Sequence, residues 1–261
     1  MKYQDRGVIV TGGSRGIGAG IVAEFVAAGA RVAFCDRRAD LGRALADRLN
    51  QRGPGQASFH ECDVTQEIAL TGFLRDAIGT LGRLDCLVNN AGWHPPHLPI
   101  DQFQSQDLRD LLELNLVSMF SACRTTLPYL RENQGNIINI GSLVGSVGQR
   151  HAVTYVATKG AVIAFTKALA IDEAEHRVRV NSISPGNVMT PLWQESSESS
   201  PDPTAARAAG EAAQVMGRMG TIEEVGRLAV FLASEATFTT GVDHILAGGA
   251  ELGFGRTIQS P

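Results

Sequence analysis

Short apolar runs rich in β-branched residues alternate along the whole chain with longer segments of helical periodicity. The first run, "GVIVTGG", precedes a helical pattern from Gly16 to Ala28, and "ARVAFCD" precedes another from Asp40 to Asn50. Four further runs, "ASFHECDV", "LDCLVNN", "NIINIGS" and "VRVNSISPG", are separated by helical stretches. Apolar strands that alternate with amphipathic helices require a parallel sheet covered on both faces. The sequence therefore predicts an α/β fold, a doubly wound (Rossmann) parallel sheet with helices on both faces.

The length and composition set the number of domains. A chain of 261 residues with 44% hydrophobic content can bury one large core, so we expect one domain over residues 1–261. The segment from Gln194 to Gly210 interrupts the alternation with a run rich in serine, proline and acidic residues. Only about fifty residues follow it, which is too few for a second domain. We therefore expect residues 188–215 to form a mobile loop over a substrate site.

The two longest helices are predicted over residues 107–130 and 153–173. Pro128 lies near the end of the first pattern, and a proline within a helical pattern ends or kinks the helix. We therefore expect the first of these helices to stop at about residue 130.

The charge and the cysteine content exclude several classes of protein. A formal net charge of −4 provides no basic field, so we expect no nucleic-acid or membrane partner. The four cysteines are scattered without a CxxC pair, and the histidines show no metal-ligand spacing. That pattern predicts reduced thiols, no metal and a cytoplasmic location. The first residues contain neither a basic n-region nor a long apolar stretch, so we expect no signal peptide.

A glycine-rich turn, "TGGSRGIG", stands where the first predicted strand meets the first predicted helix. Gly12, Gly16 and Gly18 allow the backbone to turn sharply and to approach a pyrophosphate at the helix N-terminus. A glycine-rich turn alone is a weak motif, but the required order of strand, turn and helix is present. The sequence thus predicts a dinucleotide site at this junction.

Asp36 ends the second predicted strand, 18 residues after Gly18. An acid near that offset hydrogen-bonds the adenosine ribose, and its charge repels a 2′-phosphate. Three nearby arginines, Arg15, Arg37 and Arg38, could instead pair with such a phosphate. Because the phosphate would meet the acid first, we predict NAD rather than NADP as the cofactor.

The stretch "YVATKG" places Tyr155 and Lys159 on one face of a helix, one turn apart. A free tyrosine has a pKa of about 10, which a nearby ammonium and an oxidised nicotinamide would both lower. Tyr155 would then remove the proton of an alcohol while hydride leaves its carbon, and Ser142 could donate a hydrogen bond to the substrate oxygen. Asn115 in "LELNL" is a poor helix former inside a predicted helix, which indicates either a water-holding role in proton relay or a surface position.

Over almost its whole length the chain resembles the short-chain dehydrogenase/reductase family. The resemblance rests on "TGGSRGIG", "NNAG" at residues 89–92, "YVATK", "SPG" at residues 184–186, and single residues within the helices and strands. It implies an assembly of identical chains, for which we expect a homotetramer. It also implies a catalytic tetrad of Asn115, Ser142, Tyr155 and Lys159.

The resemblance extends to the cofactor contacts. It implies that Asp63 and Val64 hold the adenine, that Asn90 lies along a ribose, and that Thr190 reaches the nicotinamide carboxamide. The full set of predicted cofactor-binding residues is Gly12, Arg15, Gly16, Ile17, Gly18, Asp36, Asp63, Val64, Asn90, Gly92, Tyr155, Lys159, Pro185, Gly186, Val188 and Thr190.

Further segments resemble one group within that family, the type 14 17β-hydroxysteroid dehydrogenases. Among them are "HPP" at residues 94–96, "TPLW" at residues 190–193 and "ELG" at residues 251–253. Members of that group are associated with oxidation of 17β-hydroxysteroids and also of L-fucose. The chain departs from the group pattern at Trp93, where a histidine is expected, and at Phe254, where a tyrosine is expected.

The resemblance also implies a substrate pocket. Polar groups there favour a sugar of the L-fucose type, oxidised at its anomeric hydroxyl, because a buried polar group without a partner costs about 1–3 kcal/mol. Leu192, Trp193 and Phe254 could equally wrap a 17β-hydroxysteroid. An NADPH-dependent carbonyl or ketoacyl reductase and a non-catalytic dinucleotide-binding protein are the alternatives. The predicted substrate residues are His94, Ser142, Gln149, Tyr155, Asn187 and Trp193.

Overall fold

The computed structural model of the chain describes residues 2–253, in which seven parallel strands form one sheet. In chain order the strands are β1 (Gly7–Thr11), β2 (Arg31–Asp36), β3 (Gln56–Glu61), β4 (Cys86–Asn89), β5 (Asn136–Ile140), β6 (Arg179–Pro185) and β7 (Asp243–Leu246). Their order across the sheet is β3-β2-β1-β4-β5-β6-β7. The winding direction therefore reverses between β1 and β4, which confirms the predicted Rossmann architecture.

Within residues 2–253, no helix is long and apolar enough to cross a bilayer.

Helices cover both faces of the sheet. A wide π-type turn, Glu113–Val117, joins the fourth helix to the fifth. The helices are α1 (Gly16–Ala27), α2 (Ala39–Asn50), α3 (Glu67–Leu81), α4 (Ser105–Leu112), α5 (Ser118–Asn133), α6 (Val144–Val147), α7 (Val153–Asp172), α8 (Pro191–Glu198), α9 (Pro203–Ala212) and α10 (Ile222–Ser234).

The buried side chains form two layers because successive strand residues point to opposite faces of the sheet. In β1, Val8 and Val10 belong to the layer that includes α1 and α10, whereas Ile9 belongs to the layer that includes α3, α5 and α7. All five residues of β1 are buried. Burial on both faces explains why the strands consist of continuous apolar runs.

Pro128 does not end its helix. The helix α5 continues to Asn133, so the expected stop near residue 130 is wrong. A proline inside a helix costs about 3 kcal/mol, because it removes one backbone hydrogen bond and its ring clashes with the preceding turn. Ala122, Cys123 and Leu130 bury their side chains in the core from this helix, and that burial outweighs the loss.

The segment 188–215 contains two helices where an irregular loop was expected. Each begins with a capping residue followed by proline: the Thr190 hydroxyl accepts from the Trp193 N–H (3.1 Å), and the Asp202 carboxylate accepts from the Ala205 N–H (2.9 Å). A capping residue before proline is a strong helix start, since proline at the first helical position needs no N–H partner. The mobility of this segment stays a prediction.

Candidate active site

A cavity of about 900 Å³ lies over the carboxyl ends of the strands, where the winding reverses between β1 and β4. Because parallel strands all end on this edge, residues that are distant in the chain meet around it. Most of the predicted site residues line the cavity. They are Gly12, Arg15, Gly16, Ile17, Gly18, Asp36, Asp63, Val64, Asn90, Gly92, His94, Ser142, Tyr155, Lys159, Pro185, Gly186 and Thr190.

The glycine-rich turn after β1 forms one end of the cavity. Gly12 and Gly16 have φ angles of +65° and +56°, a region that residues with a side chain rarely adopt. The Asn90 side-chain amide donates to the carbonyls of Thr11 (3.0 Å) and Gly12 (2.8 Å). A side chain at Gly18 would collide with the Gly12 carbonyl and the Asn90 amide. Asn90 therefore fixes the shape of the turn in addition to lining the cavity.

The start of α1 presents hydrogen-bond donors to the cavity. Within residues 2–253, the Arg15 side chain makes no capping bond at this helix start, and the buried Ser14 hydroxyl has no hydrogen-bond partner. Free backbone N–H groups and the helix dipole favour an anion at such an end. A dinucleotide pyrophosphate fits these donors.

Two carboxylates border the cavity beside that turn. Asp36, at the end of β2, accepts from the backbone N–H groups of Ser14 (3.3 Å) and Arg38 (3.2 Å). Asp63, after β3, accepts from the N–H (3.0 Å) and the hydroxyl (2.8 Å) of Thr65. These bonds hold the Asp36 carboxylate where a ribose hydroxyl can donate to it. The residues at this end fit the adenosine half of a nicotinamide dinucleotide.

Tyr155 and Lys159 lie one turn apart on α7, as the sequence predicts. Lys159 is only 4% exposed, and its Nζ donates to the carbonyl of Ile140 at the end of β5 (2.7 Å). The same Nζ lies 5.8 Å from the centre of the Tyr155 ring. Ser142, after β5, lines the cavity with them. Helix and sheet thus hold a phenol, a hydroxyl and a buried amine around one small volume.

Burial dominates the titration of both residues. It raises the pKa of Tyr155 to about 12, although hydrogen bonding with Ser142 opposes the rise. Burial also lowers the pKa of Lys159 to about 8. Burial thus governs the Tyr155 pKa in the protein without cofactor, and its lowering by Lys159 together with an oxidised nicotinamide stays a prediction. A phenolate at this position requires a further positive charge close to it.

Asn115 lies in the π-type turn between α4 and α5 and is 1% exposed, which excludes a surface position. Its Oδ1 accepts from the Trp93 N–H (3.0 Å), and its Nδ2 donates to the Thr158 hydroxyl on α7 (3.0 Å). A side chain at Gly92 would lie 3.1 Å from Asn115 Oδ1 and 3.6 Å from Lys159 Nζ. Asn115 therefore joins the loop after β4 to α7 beside Lys159. Its part in a proton relay stays a prediction.

His94 packs against the phenol, with its ring centre 4.2 Å from that of Tyr155. Its Nε2 lies 3.0 Å from the Gln149 Oε1, and its Nδ1 lies 2.6 Å from the Pro95 carbonyl oxygen. Gln149 in turn places its Nε2 3.4 Å from His97 Nε2. We call His94, His97 and Gln149 the polar cluster. Of the three, His94 lines the cavity and places a hydrogen-bonding ring beside Tyr155.

Five predicted site residues of the described chain lie outside the cavity lining: Asn115, Gln149, Asn187, Val188 and Trp193. Asn187 donates from Nδ2 to the Gly210 carbonyl at the end of α9 (3.0 Å), and the Trp193 ring packs against Gly210. Val188 is buried and pairs with Gly220. These contacts position α8 and α9, and the ligand contacts predicted for Asn187, Val188 and Trp193 stay predictions. Gln149 also lies outside the lining and reaches it through His94, and Phe254 lies outside the described residues.

Comparisons with known proteins agree with this geometry. A family model described as enoyl-(acyl carrier protein) reductase matches residues 12–251. The L-fucose dehydrogenase of Bos taurus is 54% identical over 255 residues, covering 98% of this chain and 93% of that protein. The chain belongs to the short-chain dehydrogenase/reductase family.

Two further members of the family show how widely its fold is shared. The cyclopentanol dehydrogenase of Comamonas testosteroni is 35% identical and covers 95% of this chain and 98% of its own length. The L-sorbose reductase of Gluconobacter frateurii, solved with NADPH and L-sorbose, has a TM-score of 0.90 at 26% identity, covering 96% of this chain and 99% of that one. This short-chain dehydrogenase/reductase is therefore an oxidoreductase that acts on hydroxyl groups with a nicotinamide dinucleotide.

Sequence reasoning missed one wall of this dehydrogenase's cavity. Asp107, Asp110, Leu111 and Leu114 line it from α4 and the turn that follows. Their spacing of three, four and seven residues from the first is that of one helix face, so the pattern was visible in the sequence. Glu195 also lines the cavity. It carried no sequence signal, because its contact is 180 residues away in the chain.

Proposed function

We propose that this dehydrogenase uses NAD to oxidise the anomeric hydroxyl of an L-fucose-like sugar. The observation that carries the proposal is the polar cluster beside Tyr155, in which the His94 ring lies 4.2 Å from the phenol ring. The bovine relative named L-fucose dehydrogenase, 54% identical to this chain, supports the same substrate class.

The reaction converts the C–H and O–H bonds of the substrate carbinol into a carbonyl. A nicotinamide dinucleotide, bound in its oxidised form, supplies the hydride acceptor and a positive charge. Tyr155 takes the hydroxyl proton at its phenolic oxygen, and Ser142 donates a hydrogen bond to the substrate oxygen. Lys159 carries an ammonium below about pH 8, which favours the phenolate.

The adenosine end of the cavity supports NAD in preference to NADP. The Asp36 carboxylate lies beside the glycine-rich turn, where its charge would repel a 2′-phosphate. The Arg37 guanidinium, which could oppose that effect, lies 3.7 Å from the Asp63 carboxylate. A relative of the same fold was solved with NADPH, so the fold alone does not select the cofactor.

A sugar suits the polar cluster because its hydroxyl groups can exchange hydrogen bonds with the His94 imidazole, which lines the cavity beside Tyr155. A mostly hydrocarbon ligand offers this ring no hydrogen-bonding group. Trp93 lines the same end of the cavity with 48% of its surface exposed, and its ring offers a face against which a sugar can pack.

A 17β-hydroxysteroid is the second candidate, because another wall of the cavity is apolar. A ligand with few polar groups gains most of its binding energy by burying its surface against such a wall. The apolar wall consists of Pro95, Pro96, Leu98, Phe103, Leu111 and Leu114.

Turnover of a panel of aldoses and hydroxysteroids, each with NAD and NADP, should separate these candidates. We expect kcat/KM for L-fucose with NAD to exceed that for any steroid by about tenfold or more, since pairing of buried polar groups discriminates strongly. The variant His94→Phe keeps a ring against Tyr155 and removes the polar contacts. It should lose sugar turnover and retain whatever steroid turnover the wild type shows.

Two results of this panel would contradict the proposal. If turnover of a steroid exceeded turnover of every aldose by orders of magnitude, the sugar would be excluded as the substrate, and the dehydrogenase chemistry would stand. A clear preference for NADP would remove the cofactor assignment and favour a carbonyl or ketoacyl reductase.

We further propose a cytoplasmic homotetramer built on two exposed apolar faces. One face includes Val117 and Phe120 at the start of α5, and the other includes Phe231, Phe238 and Ile245 around α10 and β7. Clustered apolar residues on a surface mark interfaces, and two self-complementary faces on one chain generate a tetramer. The four cysteines are buried free thiols, which supports a reducing compartment.

Light scattering coupled to size exclusion tests the assembly. We expect a mass of four chains for the wild type and of two chains for Phe120→Asp and for Phe238→Asp, because a buried unpaired carboxylate opposes association. Arg75→Asp, on α3, which contributes no residue to either face as defined above, should leave the mass unchanged. A wild type that elutes with the mass of one chain would contradict the tetramer.

A further inference from the structure

A bidentate ion pair connects the glycine-rich turn to helix α8. Arg15 Nη1 lies 3.1 Å from Glu195 Oε1, and Arg15 Nη2 lies 3.2 Å from Glu195 Oε2. The guanidinium therefore directs both of its terminal nitrogens to one carboxylate, the geometry in which arginine binds anions most strongly. Both residues line the cavity.

Arg15 is the least exposed of the three arginines that line this end of the cavity, the others being Arg37 and Arg38. Its side chain is 20% exposed, whereas that of Arg37 is 72% exposed and less constrained. The residue before it, Ser14, donates its backbone N–H to Asp36, the carboxylate at the ribose position. A phosphate would compete with this carboxylate for the same two terminal nitrogens of the guanidinium.

We propose that Glu195 is a specificity-determining residue for the cofactor. By occupying the guanidinium of Arg15, its carboxylate withholds that cation from a 2′-phosphate and adds a negative charge near Asp36. The same pair fastens α8 to the cofactor turn. The inference rests on the proposed use of NAD and names a second residue, besides Asp36, that enforces it.

Calorimetric titration of the purified protein with NAD and with NADP tests this role without catalysis. Glu195→Gln should lower the ratio of the NADP dissociation constant to the NAD dissociation constant by roughly three- to tenfold, the size expected of one partly exposed ion pair. The matched control is Glu198→Gln on the same helix, whose carboxylate accepts from Gln194 and does not contact Arg15. It should leave the ratio unchanged.

A double variant identifies the cation involved. Adding Arg15→Ala to Glu195→Gln should restore the wild-type ratio, because the released guanidinium is then absent. An unchanged ratio in Glu195→Gln, including one in which both cofactors bind more weakly to the same extent, would overturn the proposal and leave Glu195 a purely structural latch.

The proposed function can fail separately in the same titrations. Tighter binding of NADP than of NAD by the wild type would contradict NAD use. A fall of the ratio in Glu195→Gln would still support the role of Glu195 in that case, since it measures the change and not the starting preference.

Discussion

The variant Tyr155→Phe should bind NAD as the wild type does and lose roughly 10³-fold in kcat, within the range that general acid–base catalysis supplies. The phenylalanine keeps the ring that packs 4.2 Å from His94, so the cavity should keep its shape. It lacks the phenolic hydroxyl that Tyr155 places in the cavity lining together with Ser142 and Lys159. Steady-state turnover and calorimetric NAD binding measure the two quantities separately.

The matched control is Tyr129→Phe on α5, where the side chain is exposed and lies outside the cavity lining. It should retain full activity. If Tyr155→Phe keeps more than about a tenth of the wild-type kcat, Tyr155 is not the general base, since such a base contributes at least about 10²-fold.

Lys159→Met should stabilise the protein at pH 7 while it reduces kcat by about 10²-fold or more. Burial lowers the pKa of Lys159 to about 8, so folding below that pH places a charged ammonium in the interior at a cost. The shift from about 10.4 in the unfolded chain corresponds to a cost on the order of 3 kcal/mol. Loss of the bond to the Ile140 carbonyl offsets about 1 kcal/mol of the gain.

The sign of the pH dependence distinguishes this effect from other causes. Between about pH 8 and pH 10 the unfolded chain holds a proton on Lys159 that the folded chain has released, so the free energy of unfolding contributed by this residue rises with pH. Urea denaturation should show that the advantage of Lys159→Met shrinks over this interval. Lys167→Met, an exposed lysine on the same helix, should show no such trend.

The oxidation rate of the wild type should also rise with pH as Tyr155 deprotonates, and Lys159→Met should move this rise to higher pH. A variant that is less stable than the wild type at pH 7, or whose rate profile is unchanged, would contradict the role of Lys159 as a buried ammonium beside the base.

The strands, the glycine-rich turn and the Tyr155/Lys159 pair could be predicted because each depends on local spacing. Gly12 and Gly16 need a turn of a few residues, and two side chains four apart on a helix must share a face. The helices of segment 188–215 had local signals too, at Thr190-Pro191 and Asp202-Pro203, but the serine- and proline-rich composition favoured a loop.

Other parts of the site depend on contacts between distant segments and could not be predicted from spacing. Asn187 and Trp193 both contact Gly210 on a helix whose position only the folded chain defines, and their predicted substrate contacts stay predictions. The pKa of Tyr155 depends on how deeply its side chain is buried. The sequence reveals the neighbouring lysine, but it does not reveal how much burial desolvates the phenol. Glu195 contacts Arg15 across 180 residues of sequence, so only the folded chain brings the two together.

The π-type turn between α4 and α5 lets two consecutive helices present their side chains to two different parts of the protein, the cavity and the core. Each residue of an α-helix advances about 100° around the axis, so one extra residue in a turn rotates everything before it relative to everything after it. Before the turn, Asp107 and Leu111 face the cavity; after it, Ala122 and Leu130 are packed in the core beside the sheet. Residues of α4 therefore shape the wall of the cavity, whereas residues of α5 pack the core, although the two helices follow each other without a loop.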